Sequence, residues 1–205
     1  MLTIVIQAGG RSTRMGEDKA LKLFLGKPLI QRVSDRLAHI ADEIIVTTNR
    51  PDDYAFLGTS TGSAHRLRLV PDLKAGRGAL GGLYTAIASA AYPFVGVVAC
   101  DMPFASPVLF EGAVSIMDKE AADVVIAKKD EGYEPFHALY RRETCLPAIE
   151  SAIESCQWKV ISWFPQVNVR RLSSQEIKNY DPSGLCFQNL NTPEEFAEAE
   201  KRAAE

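Results

Sequence analysis

Two stretches of this chain, LTIVI (2–6) and FVGVVAC (94–100), are nearly unbroken apolar runs rich in β-branched residues. A strand with one wet face alternates apolar and polar side chains. A run without alternation belongs to a strand covered on both faces, and such strands are characteristic of parallel sheets. EIIVTT (43–48), RLRLV (66–70) and ADVVIA (122–127) supply further strands. Helical stretches over 29–39, near 52–57, over 80–91 and over 106–118 lie between them. This alternation predicts an α/β fold, a three-layer, mostly parallel doubly wound sheet with right-handed crossovers. Beyond residue 130 the pattern predicts a strand at 134–140, a helix at 143–155 and a strand at 167–172. A last strand starting at Leu185 then leads to a helix capped by Thr192, with Pro193 in its first turn. No repeat or linker divides the chain, so residues 1–205 are expected to form one domain.

The segment from Gly78 to Cys100 carries no charged side chain. Its length permits a membrane span, but Gly81, Gly82, Thr85, Ser89 and Pro93 dilute it. A buried helix followed by a buried strand is the better reading, and no membrane association is expected. Nor does a net charge of −3 suit a general nucleic-acid binder. The four cysteines are far apart, with no CxxC pair and no histidine at metal-ligand spacing. They read as buried thiols of a cytoplasmic protein.

The first strand runs into QAGGRSTRMGEDKAL (7–21). In an open α/β sheet, ligands bind beyond the carboxyl ends of the strands, and this loop is at such a place. Gly9 and Gly10 allow close backbone approach, and successive N–H groups there can cradle phosphate oxygens. Arg14 and Lys19, with Arg11 beside them, add charge-assisted bonds suited to a polyphosphate. The P-loop pattern is absent, because Gly16 is followed by Glu17, Asp18 and Lys19. Asp101 follows the strand FVGVVAC on the same sheet edge. A carboxylate facing phosphates calls for a cation between them, and Mg²⁺ typically takes one or two carboxylates plus phosphate and water.

Ala8-Gly9-Gly10-Arg11-Ser12-Thr13-Arg14-Met15-Gly16-Glu17-Asp18-Lys19 closely resembles the signature loop of the molybdenum cofactor guanylyltransferases, members of a larger nucleotidyltransferase family. LGKPLIQRV (25–33), TTNR (47–50), VPD (70–72), CDMP (100–103), EPFHALY (134–140) and NLNTPEE (189–195) follow in that family's order. The resemblance implies a Rossmann-like nucleotidyltransferase fold of the glycosyltransferase-A type. It implies Mg²⁺-dependent transfer of GMP from GTP to the phosphate of molybdopterin or Mo-molybdopterin, with release of pyrophosphate. It also admits other molybdenum cofactor biosynthesis proteins as partners. By the same resemblance Asp101 binds the metal, with Asn191 reaching it from the C-terminal segment. Gln7, Ala8, Gly9, Gly10, Lys19, Asn49, Asp72 and Gly78 are expected to touch the nucleotide. Asp72 could accept from the N1–H and N2–H₂ edge of guanine, and Arg14 and Lys19 would hold the departing phosphates. Asn49, Asp72 and Asn191 could equally be turn residues.

Two positions depart from the family pattern. Gln7 stands where an aliphatic residue usually precedes AGG, and Gly78-Ala79-Leu80-Gly81-Gly82 lacks the proline of the usual GPLAG. Both lie where relatives hold the base, so cytidylyl transfer, or transfer to another sugar or cofactor, stays open as an alternative. His39 and His65 read as structural or solvated, whereas His137 or Glu134 could meet the acceptor. A separate alternative is an NAD-dependent oxidoreductase. Gly76-Arg77-Gly78-Ala79-Leu80-Gly81 fits G-x-G-x-x-G, with a helix, a strand and Asp101 beyond it. Against this, PDLKA intervenes between the strand and the first glycine, where the dinucleotide fingerprint turns tightly.

Overall fold

The computed structural model describes residues 1–8, 18–60, 66–74 and 76–204. Its main sheet comprises β1 (Leu2–Gln7), β4 (Glu43–Thr47), β5 (Arg66–Val70), β6 (Phe94–Ala99), β7 (Val124–Lys129), β8 (Gly132–Arg141) and β9 (Val169–Leu172). A two-stranded ribbon is formed by β2 (Leu23–Phe24) and β3 (Lys27–Pro28). The spatial order of the main sheet is β5-β4-β1-β6-β8-β7-β9. All its strand pairs are parallel except the two made by β8, which runs against both β6 and β7.

Strand β1 explains why its sequence shows no alternation. Ile4 and Ile6 face one core and Val5 the other, and all three are fully buried. The first core is covered by α1 (Leu29–Leu37) and α4 (Pro107–Lys119), through Ile30, Val33, Leu37, Leu109 and Phe110. The second is covered by α3 (Gly78–Ser89) and α5 (Arg142–Glu154), through Leu80, Leu83, Ile149 and Ile153. Each such side chain removed from water contributes roughly 1.5–3 kcal/mol of transfer free energy, so the two faces together favour this layered arrangement. The uncharged stretch from Gly78 to Cys100 is thus helix α3 followed by β6. Among the described residues, no helix is long and apolar enough to cross a membrane.

Chain order sets the position of the site. From β1 the chain moves outward to β4 and β5, then returns to place β6 on the other side of β1. The reversal opens a crevice at the carboxyl ends of β1 and β6, where ligands of doubly wound sheets lie.

Some expected elements differ. The strand expected from Leu185 is irregular chain. Cys186 and Phe187 serve there as plugs, buried against the α4 side of the sheet. Helix α6 (Ser174–Tyr180) was not anticipated. It is short, but Ser173 and Glu176 form a reciprocal capping box. The stretch near 52–57 resolves into a 3₁₀ turn at Pro51–Tyr54 and a one-turn α2 (Leu57–Ser60). Helix α7 (Pro193–Ala204) begins where expected, and the Thr192 Oγ1 accepts from Glu195 N at 3.2 Å. All four cysteines are free. Cys145 and Cys186 are buried as expected, but Cys100 is half-buried and Cys156 exposed.

Candidate active site

A cavity of about 830 Å³ lies across the carboxyl ends of β1, β4 and β6. Gln7, Thr47 and Ala99, the last residues of those strands, form its floor. Of the residues expected at the site, Gln7, Ala8, Lys19, Asn49, Asp72, Gly78 and Asp101 all line it. Gly9, Gly10, Arg11 and Arg14 lie outside the described residues, as does His65.

Two turns and helix α3 build the wall on the β4–β5 side. Asn49 Oδ1 accepts the backbone N–H of Asp72 at 2.9 Å, tying the turn after β4 to the turn after β5. Asp72 Oδ1 accepts from the backbone N–H of Lys74 at 3.1 Å and from the hydroxyl of fully buried Thr85 at 2.8 Å. The Asp72 carboxylate is therefore fixed through one oxygen, and its second oxygen has no hydrogen-bond partner among the described residues. Thr85, on α3, also lines the cavity. No sequence signal marks its role, because a threonine inside an apolar helix reads as core.

Gln7 faces α3. A Cβ on Gly82 would stand 3.4 Å from Gln7 Oε1 and 3.5 Å from Nε2, so the helix backbone packs directly onto the carboxamide. The Nε2 atom is buried and has no hydrogen-bond partner among the described residues. An unmade hydrogen bond on a buried donor costs about 1–3 kcal/mol, which marks this amide as a group awaiting a partner.

On the opposite wall, Asp101 sits just past β6. Burial raises its carboxyl above the usual carboxylate range, and the Lys19 ammonium opposes that shift. Lys19 begins a 3₁₀ turn, Lys19–Leu21, and its Nζ donates to Asn191 Oδ1 at 2.7 Å. Asn191 is held there from two directions. The Leu190 N–H donates to the Asp101 carbonyl at 3.0 Å, and the backbone N–H groups of Asn191 and Thr192 both donate to Glu195 Oε2. Helix α7 is in turn anchored on the β2–β3 ribbon, where the Phe196 ring stands edge-on to Phe24 and the Leu25 N–H donates to Glu200 Oε1. Asp101, Asn191 and Lys19 are thus brought together from three distant segments.

The histidine expectation needs correction. Strand β8 turns alternate side chains to opposite faces, and it directs Phe136, not His137, to the cavity. His137 is completely buried, stacked on Phe110 at 4.6 Å and edge-on to Phe187 at 5.2 Å. Its Nε2 accepts from the Ser106 N–H at 3.0 Å, so the imidazole is neutral, and burial lowers its pKa to about 4. It is a core residue. Glu134 is ion-paired with Lys129 at 3.1 Å.

The G-x-G-x-x-G reading also fails on geometry. Helix α3 starts at Gly78, and a connecting segment separates the motif from β5, where the fingerprint would turn tightly out of its strand. A Cβ on Gly81 would meet Lys74 O and Arg77 Cβ at 2.7 Å each. That glycine admits Lys74 and Arg77 of the chain itself.

A family model described as the MobA-like NTP transferase domain matches residues 4–168. The chain is 36% identical over 197 residues to a probable molybdenum cofactor guanylyltransferase of Peptoclostridium acidaminophilum, covering 94% of this chain and 85% of that protein. It is 32% identical over 200 residues to the molybdenum cofactor guanylyltransferase of Desulfosudis oleivorans, covering 97% and 94% respectively. The fold superposes on a crystal structure of molybdopterin-guanine dinucleotide biosynthesis protein A from Archaeoglobus fulgidus with a TM-score of 0.81, at 24% identity and 98% coverage of both chains. With its switch-point cavity and these relatives, the chain belongs to the molybdenum cofactor guanylyltransferase family of MobA-like nucleotidyltransferases.

Proposed function

We propose that this chain, working as one domain in the cytoplasm, transfers GMP from GTP to the phosphate of molybdopterin or its molybdenum form. The observation that carries the reading is the meeting of Lys19, Asp101, Asn49 and Asp72 around one crevice at the strand-order reversal. The relatives' names supply the acceptor.

A phosphate oxygen of the acceptor attacks the α-phosphorus of GTP. The new P–O bond forms there as the bond to the β-phosphate bridging oxygen breaks, and pyrophosphate leaves with that electron pair. Phosphate monoesters carry close to two negative charges near neutrality, so the nucleophile needs no strong base. Catalysis then rests on positioning and charge neutralisation. Lys19, already confined beside Asp101, meets the phosphates. Arg14, Gly9 and Gly10 are proposed to hold the same phosphates from the adjoining loop. Ala8 and Gly78 border the nucleoside. Asp72, with one oxygen committed to Thr85 and Lys74, offers the other to the N1–H and N2–H₂ edge of guanine, while Asn49 keeps the Asp72 turn in place.

The donor set fits Mg²⁺. A desolvated carboxylate (Asp101) and an amide oxygen (Asn191) stand on adjoining segments. Among the described residues no group of three or more His, Cys, Asp or Glu could hold a metal ion, so substrate phosphates and water would complete the shell, as hard, octahedral Mg²⁺ favours. When bound, it supplies charge neutralisation at the α-phosphoryl group. The Asn191 oxygen accepts from Lys19, and a carbonyl oxygen has a second lone pair for the ion.

The test is calorimetric titration with GTP, CTP and ATP, each with and without Mg²⁺, followed by pyrophosphate release on adding molybdopterin. Metal-strengthened binding selective for GTP, with release dependent on the acceptor, is expected. Preference for CTP would keep the reaction and change the product. Binding of none of the three would overturn the reading.

A further inference from the structure

The Asp18 carboxylate borders the cavity beside Lys19, yet both of its oxygens are taken up by donors of the protein itself. It is only 11% exposed and takes donors from separate parts of the chain. Its Oδ1 accepts the N–H of Ala20 at 3.1 Å, capping the 3₁₀ turn that starts with Lys19. Its Oδ2 accepts the hydroxyl of Tyr54 at 2.7 Å and a guanidinium N–H of Arg50. Both of these come from the segment after β4. Tyr54 is fully buried, and its hydroxyl is delivered by the 3₁₀ turn Pro51–Tyr54. Arg50 is steadied in turn by the Asp53 carboxylate at 3.3 Å, and its backbone N–H donates to Thr48 Oγ1 at 3.1 Å.

We infer that Asp18, clamped by Tyr54 and Arg50, is a positioning residue that fixes the backbone of Lys19 so that its ammonium meets the phosphates of the nucleotide. This rests on the proposed role of Lys19. Lysine carries a compact charge on a flexible stem, so its aim depends on where its backbone is held and on what holds its head. Asn191 holds the head. Asp18 holds the root, linking the phosphate end of the crevice to the turn that carries Asn49. A carboxylate satisfied by three donors, two of them neutral, is far better placed to brace a turn than to bind a ligand. Aspartate before that lysine thus has a reason that a solvated surface charge would not supply.

The test measures binding of GTP, CTP and inorganic pyrophosphate by calorimetry in wild type, Asp18→Asn, Tyr54→Phe, Lys19→Ala and the Asp18→Asn/Lys19→Ala double variant. Thermal unfolding is followed in parallel. Asp18→Asn is expected to weaken GTP, CTP and pyrophosphate by a similar factor of about ten, since the effect lies at the phosphate end. Tyr54→Phe, which keeps the buried ring, should weaken all three about threefold. The double variant should bind no worse than Lys19→Ala alone, because Asp18 acts through Lys19.

Additive losses in the double variant would overturn the inference, as would wild-type pyrophosphate affinity in both Asp18→Asn and Tyr54→Phe. If Asp18→Asn unfolds, the Tyr54→Phe result decides. Unchanged pyrophosphate affinity in Lys19→Ala would instead overturn the role of Lys19 itself, which separates failure of the functional reading from failure of the clamp.

Discussion

Lys19 Nζ and Asn191 Oδ1 stand 2.7 Å apart although 172 positions separate them in the chain, and this bond holds the head of a lysine that lines the crevice. Its existence depends on helix α7, which the Phe24–Phe196 contact and Glu195 hold in place. Removing the side chain with Asn191→Ala should leave that anchoring intact and release the lysine head. A hydrogen bond to a charged group is worth about 1.5–3 kcal/mol when buried, and less at this exposed position. A five- to tenfold loss of GTP affinity, with a melting temperature close to wild type, is the expected result. Asn191→Asp, which keeps an oxygen for Lys19, should recover most of the affinity. Calorimetry and thermal unfolding on the two variants check this, and equal losses in both would show that Lys19 does not need the contact.

Gln7 should govern base choice. Its Nε2, without a partner among the described residues, lies beside Gly82, and Gln7 lines the same cavity as Gly78 and Asp72. A donor there suits the O6 acceptor of guanine, with Asp72 proposed for the N–H edge. Replacement by Leu deletes the donor and leaves an apolar side chain of similar length. GTP affinity should fall about five- to tenfold, in line with one neutral hydrogen bond of about 1 kcal/mol, and pyrophosphate affinity should not change. Competition binding with GTP, CTP and pyrophosphate reads both numbers. A loss equal for all three ligands would remove Gln7 from base recognition.

Much of this arrangement was legible in the sequence because β1 and β6 are apolar without alternation, and each strand that points at the site is followed by polar residues. Asn49, Asp72 and Asp101 could be placed on one edge from that pattern alone, whereas Gln7 came from the resemblance of the loop that follows it. What could not be read depends on pairing across the sheet. The antiparallel insertion of β8 between β6 and β7 decides which face His137 takes, and no local pattern encodes a neighbour's direction. Leu185 to Phe187 looked like a strand because plugs for a core share its composition. Tyr54 read as part of a short helix, and only the fold shows its hydroxyl reaching Asp18.

His137 makes the fold acid-sensitive without touching the substrate. Its pKa falls from 6.5 to about 4 through burial, so below pH 6.5 the unfolded chain binds a proton that the folded chain refuses. Stability therefore declines as pH drops from about 6.5 to 4, and this contribution levels off below. The cost across the window is about 2–3 kcal/mol. In His137→Phe the ring stack with Phe110 can persist, but the Ser106 N–H loses its acceptor. That variant should be less stable at pH 7 by about 1–3 kcal/mol, and its stability should fall less steeply between pH 6.5 and 4. Urea unfolding at several pH values provides the comparison, and parallel curves for the two proteins would rule out His137 as the titrating group.

Gly81 and Gly82 are neighbours on α3 with opposite expected responses to a methyl group. A Cβ at Gly81 would press on the Lys74 carbonyl and Arg77 Cβ at 2.7 Å, and backbone cannot yield cheaply. Gly81→Ala should therefore cost about 1–3 kcal/mol by overpacking. It should also displace Lys74, whose N–H bonds Asp72, and so shift Asp72 and lower GTP affinity. At Gly82 the nearest atoms are the Gln7 carboxamide at 3.4–3.5 Å, an ordinary contact with a side chain. Gly82→Ala should keep or raise stability, since alanine favours the helix by up to about 1 kcal/mol, while it crowds the amide and shifts the ratio of GTP to CTP binding. Thermal unfolding together with nucleotide titration separates the two effects. If Gly81→Ala proved as stable as wild type yet lost NAD binding, the glycine motif would be a cofactor cradle after all, and the packing account of α3 would fall.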